Sequence, residues 1–200
     1  MEGLKEIMNI KDVYLTKLIN YYNSEDFKIK DFKNNSNFII YKNGRIDNSK
    51  YHDATNPKNL VEISHTIKDD FLKFVSNLNE IFDIDILFYL IYVPKGEINF
   101  HIDNGSNRHI LPLNDDNKFY NYECLDEELY SHKKGEIYNK LRKENLHDIE
   151  SFNDFFLKDS NLNSIHNLKS GSVYTIGNSL HTFINGSNKN RVALVFEVNS

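Results

Sequence analysis

Apolar residues recur along this chain in two rhythms, and the change from one to the other divides it. Through residues 1–22, Leu4, Ile7, Met8, Leu15, Leu18, Ile19 and Tyr22 fall at roughly three- and four-residue steps, which predicts a helix. A polar stretch follows. Residues 38–41 form a short apolar run before Asn43-Gly44, a strand and a turn. Pro57 suits a helix start. From there Ile63, Ile67, Phe71, Phe74, Val75, Leu78 and Phe82 make a stripe one helix face wide.

After Asp83 the rhythm changes. Residues 84–93 are almost unbroken aromatic and β-branched types, as in a strand buried on both faces. Pro94-Lys95-Gly96 reads as a tight turn. Strand candidates follow at 98–103, 108–113 and 119–124, and again at 172–176, 181–184 and 192–198. Residues 125–165 between them are polar, charged and ambiguously helical. The order predicts an α+β domain: a β-sandwich or barrel with helices on one side. Residues 1–82 would be mainly helical support, 84–124 and 166–200 the β core, and 125–165 an insertion, all in one domain.

Composition narrows the class. The 200 residues are 40% hydrophobic, with 14 Phe and 12 Tyr, enough for a packed core. No run reaches the about 18 apolar residues of a spanning helix, and the N-terminus lacks a basic start followed by an apolar stretch. With a single cysteine, Cys124, this predicts a cytoplasmic protein without an internal disulfide. The net charge of −5, with no Lys/Arg stripe, argues against a nucleic-acid partner. The chain holds 29 Asn and 20 Lys against four Arg: Arg45, Arg108, Arg142 and Arg191. Where arginine is this scarce, the places that keep it point to what lysine cannot do, a two-bond grip on a carboxylate.

Candidate chemistry starts at His101-Ile102-Asp103. In a strand, residues i and i+2 share a face, so His101 and Asp103 would present an imidazole and a carboxylate together. Alone, the pair is more simply read as two solvated loop residues. Eighty residues later His181 sits between a Gly-Asn and an Asn-Gly turn, and Arg191 heads the last apolar strand. Two His and one Asp with open positions left is the facial triad of non-haem Fe(II) oxygenases.

The segments PKGEINFHIDNGSNRHILPL and LKSGSVYTIGNSLHTFINGSNKNRVALVFEV resemble Fe(II)/2-oxoglutarate-dependent oxygenases, most nearly the aspartyl/asparaginyl β-hydroxylase-like branch, which includes free-proline hydroxylases. The ordered positions are Pro94, Gly96, His101, Asp103, Arg108, Pro112, Leu113, Leu168, Gly171, His181, Asn185 and Arg191. The resemblance implies a double-stranded β-helix (a jelly-roll, cupin-like core) with N-terminal helices on one sheet and the insertion over the pocket mouth. It implies that His101, Asp103 and His181 bind Fe(II). Arg191 would pair with the distal carboxylate of 2-oxoglutarate, and Arg108 would support a co-substrate or substrate carboxylate. O₂ is the other co-substrate.

The implied activity is hydroxylation of an unactivated C–H on a free amino acid or a peptidyl residue of Asp, Asn or Pro type, with succinate and CO₂ as co-products. The partner is then a small molecule or a peptide. Two departures matter. Residue 110, often His in the branch, is Ile110, and the neighbouring His109 should face away from Arg108. The Ser or Thr common two residues after the last Arg is Ala193, so Tyr89 or Tyr92 would have to replace its hydroxyl. Two other readings stay open: a non-catalytic β-barrel binding protein, and a cupin-type enzyme using another divalent metal. The arginines weigh toward the oxygenase.

Overall fold

The computed structural model describes residues 4–24, 27, 36–42, 44–46, 52–53, 56–60, 65–94, 108–115, 117–122, 163–177, 180–185 and 188–199. In chain order these form β1 (Lys5–Asn9), α1 (Val13–Asn23), β2 (Ser36–Lys42), β3 (Arg45–Ile46), β4 (His52–Asp53), β5 (Asn56–Leu60), α2 (His65–Phe82), β6 (Ile84–Tyr92), β7 (Arg108–Pro112), β8 (Asn117–Tyr122), β9 (Asn163–Leu168), β10 (Ser172–Thr175), β11 (Leu180–Asn185) and β12 (Arg191–Val198).

Among the described residues the strands make a large sheet, β1-β10-β7-β12-β6-β2-β3, a small sheet, β11-β8-β9, and the pair β4-β5. Among the described residues all the pairings in them are antiparallel. From β7 onward the chain passes large, small, small, large, small, large. That back-and-forth between two facing sheets fits a jelly-roll core.

Strand alternation splits the large sheet into two faces. Leu87, Tyr89 and Ile91 of β6, Leu111 of β7, Val173 of β10 and Val192, Leu194 and Phe196 of β12 share one buried cluster with Leu15, Leu18 and Tyr22 of α1 and Phe71, Phe74, Val75 and Leu78 of α2. The opposite face carries Tyr92, Ile110, Tyr174, Ala193 and Val195 into a second cluster, with Phe119, Phe183 and Leu168 of the small sheet. The interior between the two sheets is therefore distinct from the layer under the helices.

The long stripe after residue 63 is α2, and the two-sided apolar run is β6 in the middle of the large sheet. Two expectations need correction. Residues 4–10 are not helical. β1 pairs with β10 at the sheet edge, and the helix starts only where Asp12 Oδ1 accepts the main-chain N–H groups of Tyr14 and Leu15 at 2.7 and 2.9 Å. Asp12 Oδ2 also accepts from Asn77 of α2 at 2.7 Å, which fixes the two helices together. Pro57, expected at a helix start, lies inside β5, paired with β4, while α2 is described from His65. The strand β9 adds an element that the sequence did not signal; its first residues, 163–165, fall within the expected insertion. The rest of that insertion, 125–162, lies outside the described residues, as do Ile63 and the candidate strand 98–103.

Gly171 explains one position of the sequence pattern. It turns the chain into β10 with φ +80, and a Cβ there would stand 3.2 Å from Cδ1 of Ile19. Its N–H donates to Pro112 and its carbonyl accepts from Ile10, each at 3.0 Å. A Gly171→Ala variant is expected to lose about 1–2 kcal/mol of stability, the left-handed penalty for an L side chain. Urea unfolding checks this; an unchanged midpoint would mean the turn relaxes at no cost.

Candidate functional site

β11 places His181, Phe183 and Asn185 on one face, and Phe183 belongs to the cluster between the sheets. His181 therefore points into that interior, where it is 0% exposed. Its ring lies nearly parallel to Phe119 at 5.2 Å and meets Phe183 edge-on at 5.8 Å. The two phenyl rings also touch each other, at 4.7 Å, so the imidazole packs against one aromatic cluster that limits how it can turn.

Arg191 enters the same interior from the large sheet. On β12 it alternates with Val192, Leu194 and Phe196, which face the helices, and shares its face with Ala193 and Val195. It is 5% exposed and stands directly across from Tyr92 of β6. Tyr92 in turn faces Phe183 at 6.3 Å. A continuous line of side chains thus runs from His181 through Phe183 and Tyr92 to Arg191, from one sheet to the other.

The main chain around Arg191 is tied down. Asn185, buried, donates from Nδ2 to the carbonyls of Tyr92 and Val93 at 3.0 Å each and of Lys189 at 2.8 Å. These bonds hold the end of β11 against the end of β6. Among the described residues no hydrogen bond reaches Nε2 of His181, Nε of Arg191 or the hydroxyl of Tyr92, although each residue has other contacts.

The two tyrosines offered for the missing hydroxyl at Ala193 separate cleanly. Tyr89 faces the helices and donates to the hydroxyl of Tyr22 at 2.9 Å. Burial first, and then Tyr22, push its phenol well above the ordinary tyrosine value. Tyr92 faces the interior beside Arg191.

The structure does not bring Arg108 to this place. Arg108 lies across from Glu197, six residues along β12 from Arg191, or about 20 Å at strand spacing. Its guanidinium grips Oε1 of Glu197 through Nε at 3.0 Å and through a terminal nitrogen. Arg108 shares a face with the interior residues but sits at the other end of the sheet with a carboxylate of its own chain. His109 faces away from it, stacked on Phe196 at 5.1 Å and near Phe82 at 5.6 Å.

His101 and Asp103, the other two expected ligands, lie outside the described residues. Among the described residues no three His, Cys, Asp or Glu side chains come together to hold a metal ion. The described part of the site is one confined imidazole and one buried guanidinium facing the same interior. That donor set fits a divalent ion chelated by a dicarboxylate: an imidazole nitrogen for the ion, a guanidinium for the carboxylate.

No protein-family model matches this sequence, and no curated protein matches it. Several solved structures have a similar course of chain. AviO1 from Streptomyces viridochromogenes is 11% identical, with a TM-score of 0.47 over 98% of this chain and 89% of that one. A Pseudomonas putida prolyl-4-hydroxylase is 10% identical, with a TM-score of 0.43 over 99% and 94%. The viral collagen prolyl hydroxylase of Paramecium bursaria chlorella virus-1, solved as a 2-oxoglutarate complex, is 9% identical, with a TM-score of 0.42 over 98% and 95%. At these scores no residue role or activity transfers from them. No helix among the described residues is long and apolar enough to cross a membrane.

Two contributors were not visible in the sequence. Phe119, which orients His181, reads there only as one more strand aromatic. Asn114, described below, is one asparagine among 29.

Proposed function

We propose that this chain is an Fe(II)- and 2-oxoglutarate-dependent dioxygenase of the aspartyl/asparaginyl hydroxylase-like kind, which hydroxylates an unactivated C–H of an amino acid or a peptidyl residue of Asp, Asn or Pro type. The observation that carries the reading is the shared interior of His181 and Arg191. Ten residues apart, they come from strands of opposite sheets and face the same space.

Chain connectivity supports placing His101 and Asp103 with them. β6 ends at Tyr92, across from Arg191, and β7 begins at Arg108, across from Glu197. The intervening chain must therefore travel back the length of the sheet. It sets out beside the end of β11, because Asn185 holds the carbonyls of Tyr92 and Val93. Among the described residues β11 is paired on one side, with β8. We propose that His101 and Asp103, which belong to this connection, meet the ion together with His181.

In this arrangement His101, Asp103 and His181 hold the ion, with Phe119 and Phe183 keeping the His181 ring in place. Arg191 holds the far carboxylate of 2-oxoglutarate with two parallel hydrogen bonds, and Tyr92 supplies the hydroxyl that Ala193 lacks. When bound, the iron, 2-oxoglutarate and O₂ supply the oxidation, so that R–H, 2-oxoglutarate and O₂ become R–OH, succinate and CO₂. The chain's own part is alignment and the exclusion of water: the aromatic wall between the sheets keeps the reacting groups dry.

Turnover tests the proposal. Protein supplied with Fe(II), O₂ and 2-oxoglutarate should release succinate, and anaerobic addition of Fe(II) and 2-oxoglutarate should give a weak visible charge-transfer band. Folded protein that shows neither would defeat the reading. A screen of amino acids and short peptides for a mass gain of one oxygen then finds the substrate.

A further inference from the structure

Where β7 leaves the sheet, a side chain takes over from its backbone. Leu113 still donates its N–H to the carbonyl of Val192 at 2.9 Å, as a ladder residue would. The next bond is made by Asn114 instead. Its Oδ1 accepts the N–H of Val192 at 2.7 Å, while its Nδ2 reaches the carbonyl of Asn190 at the longer distance of 3.5 Å. Asn190 and Val192 are the two neighbours of Arg191. The Asn114 amide thus touches the backbone on both sides of the arginine. The same Nδ2 donates to the carbonyl of Tyr22 at 2.8 Å, near the end of α1, where helix carbonyls lack helical partners. Asn114 is 0% exposed, so water does not offer these groups an alternative.

We propose that Asn114 is a positioning residue for Arg191: it sets the backbone from which the guanidinium reaches the carboxylate of 2-oxoglutarate. The inference rests on the reading of Arg191 given above. Arginine is long, so a rotation of about 10° at its Cα moves the guanidinium by about 1 Å, enough to spoil two parallel hydrogen bonds. Asn185 holds the Lys189 carbonyl on the hairpin side, and Asn114 holds the strand side. The hydrogen bonds described for Asn114 and Asn185 end on backbone atoms near Arg191 and not on His181, so the metal and the dicarboxylate should respond differently to their loss.

The test measures two affinities by calorimetry, that of Mn(II) and that of 2-oxoglutarate for the Mn(II)-loaded protein. Asn114→Ala and the milder Asn114→Ser should weaken 2-oxoglutarate about 10-fold and leave the metal affinity within about 2-fold. Asn79→Ala is the control. It removes the acceptor for the Ile84 N–H at the other end of β6, far from Arg191, and should change neither affinity. Unchanged 2-oxoglutarate affinity in the Asn114 variants, or equal losses for metal and 2-oxoglutarate, would overturn the proposal.

Wild-type protein gives an answer that needs no variant to fold. On addition of 2-oxoglutarate, hydrogen exchange at the Val192 amide should slow at least about 10-fold while that at Ile84 stays constant. A Val192 amide indifferent to 2-oxoglutarate would refute the coupling. Arg191→Met separates the two levels. If it leaves 2-oxoglutarate binding intact, the reading of the site falls. If it weakens binding and the Asn114 variants do not, only the role of Asn114 falls.

Discussion

His181→Gln is expected to abolish 2-oxoglutarate turnover and to weaken divalent-metal binding by more than about 100-fold, while the protein stays folded. The magnitude follows from what is lost. Changing a residue that merely supports a metal ligand typically costs about 10–100-fold in affinity, so losing one of three protein ligands costs more. Glutamine is the right probe because the ring it replaces is fully buried against Phe119 and Phe183. Alanine would leave a cavity worth a few kcal/mol, about 2–5 by analogy with other large-to-small core changes, and confuse unfolding with loss of the ion. Metal content after dialysis, alongside circular dichroism, reads the two effects separately. A His181→Gln protein with wild-type metal content would remove His181 from the site.

Arg191 carries the second large effect. Arg191→Met should raise the KM for 2-oxoglutarate about 100-fold or more, and Arg191→Lys about 10-fold. Losing one partner of a buried, hydrogen-bonded charge pair costs about 2–5 kcal/mol, which is about 30-fold and upward in affinity. Lysine keeps the charge but offers a point contact in place of the planar fork. Methionine fills a similar volume, so circular dichroism should show the variant folded. In the wild type 2-oxoglutarate should raise the melting temperature through its binding, and in Arg191→Met that rise should vanish. Equal KM values across the three proteins would take Arg191 out of the co-substrate site.

What the sequence revealed, and what it hid, follows from the range of each signal. α2 and β6 were legible because burial on one helix face, or on both strand faces, is written into residues next to one another. The edge strand β1 was misread because Leu4, Ile7 and Met8 continue the helical spacing of α1. The boundary is made by one capping carboxylate, Asp12, and by pairing with β10, some 165 residues away in sequence.

For the described members of the candidate site, the sequence carried the face of each strand and not the distances. Alternation correctly turns His109 away from Arg108, and the register then puts Arg108 on the same face of the large sheet as Arg191. Alternation does not say that six residues of β12 separate them, nor that Glu197 stands opposite Arg108. The choice between Tyr89 and Tyr92 needed only the parity of β6 relative to Arg191, which the register supplies. Asn114 was invisible for a different reason. Its work is done on backbone atoms of distant segments, Tyr22 and Asn190 among them, and an Asn before Asp115 and Asp116 reads locally as a turn.

The central claim is a place: one cation held by His101, Asp103 and His181, with Arg191 turned toward the same space. A crystal of the anaerobic protein soaked with Mn(II) and 2-oxoglutarate locates that cation directly by anomalous scattering. The account predicts a single interior peak about 2.0–2.2 Å from one nitrogen of each histidine and an oxygen of Asp103, ordinary lengths for a first-row divalent ion, with the far carboxylate of 2-oxoglutarate on Arg191. A peak away from His181, or His101 and Asp103 found on another surface of the folded chain, would contradict it.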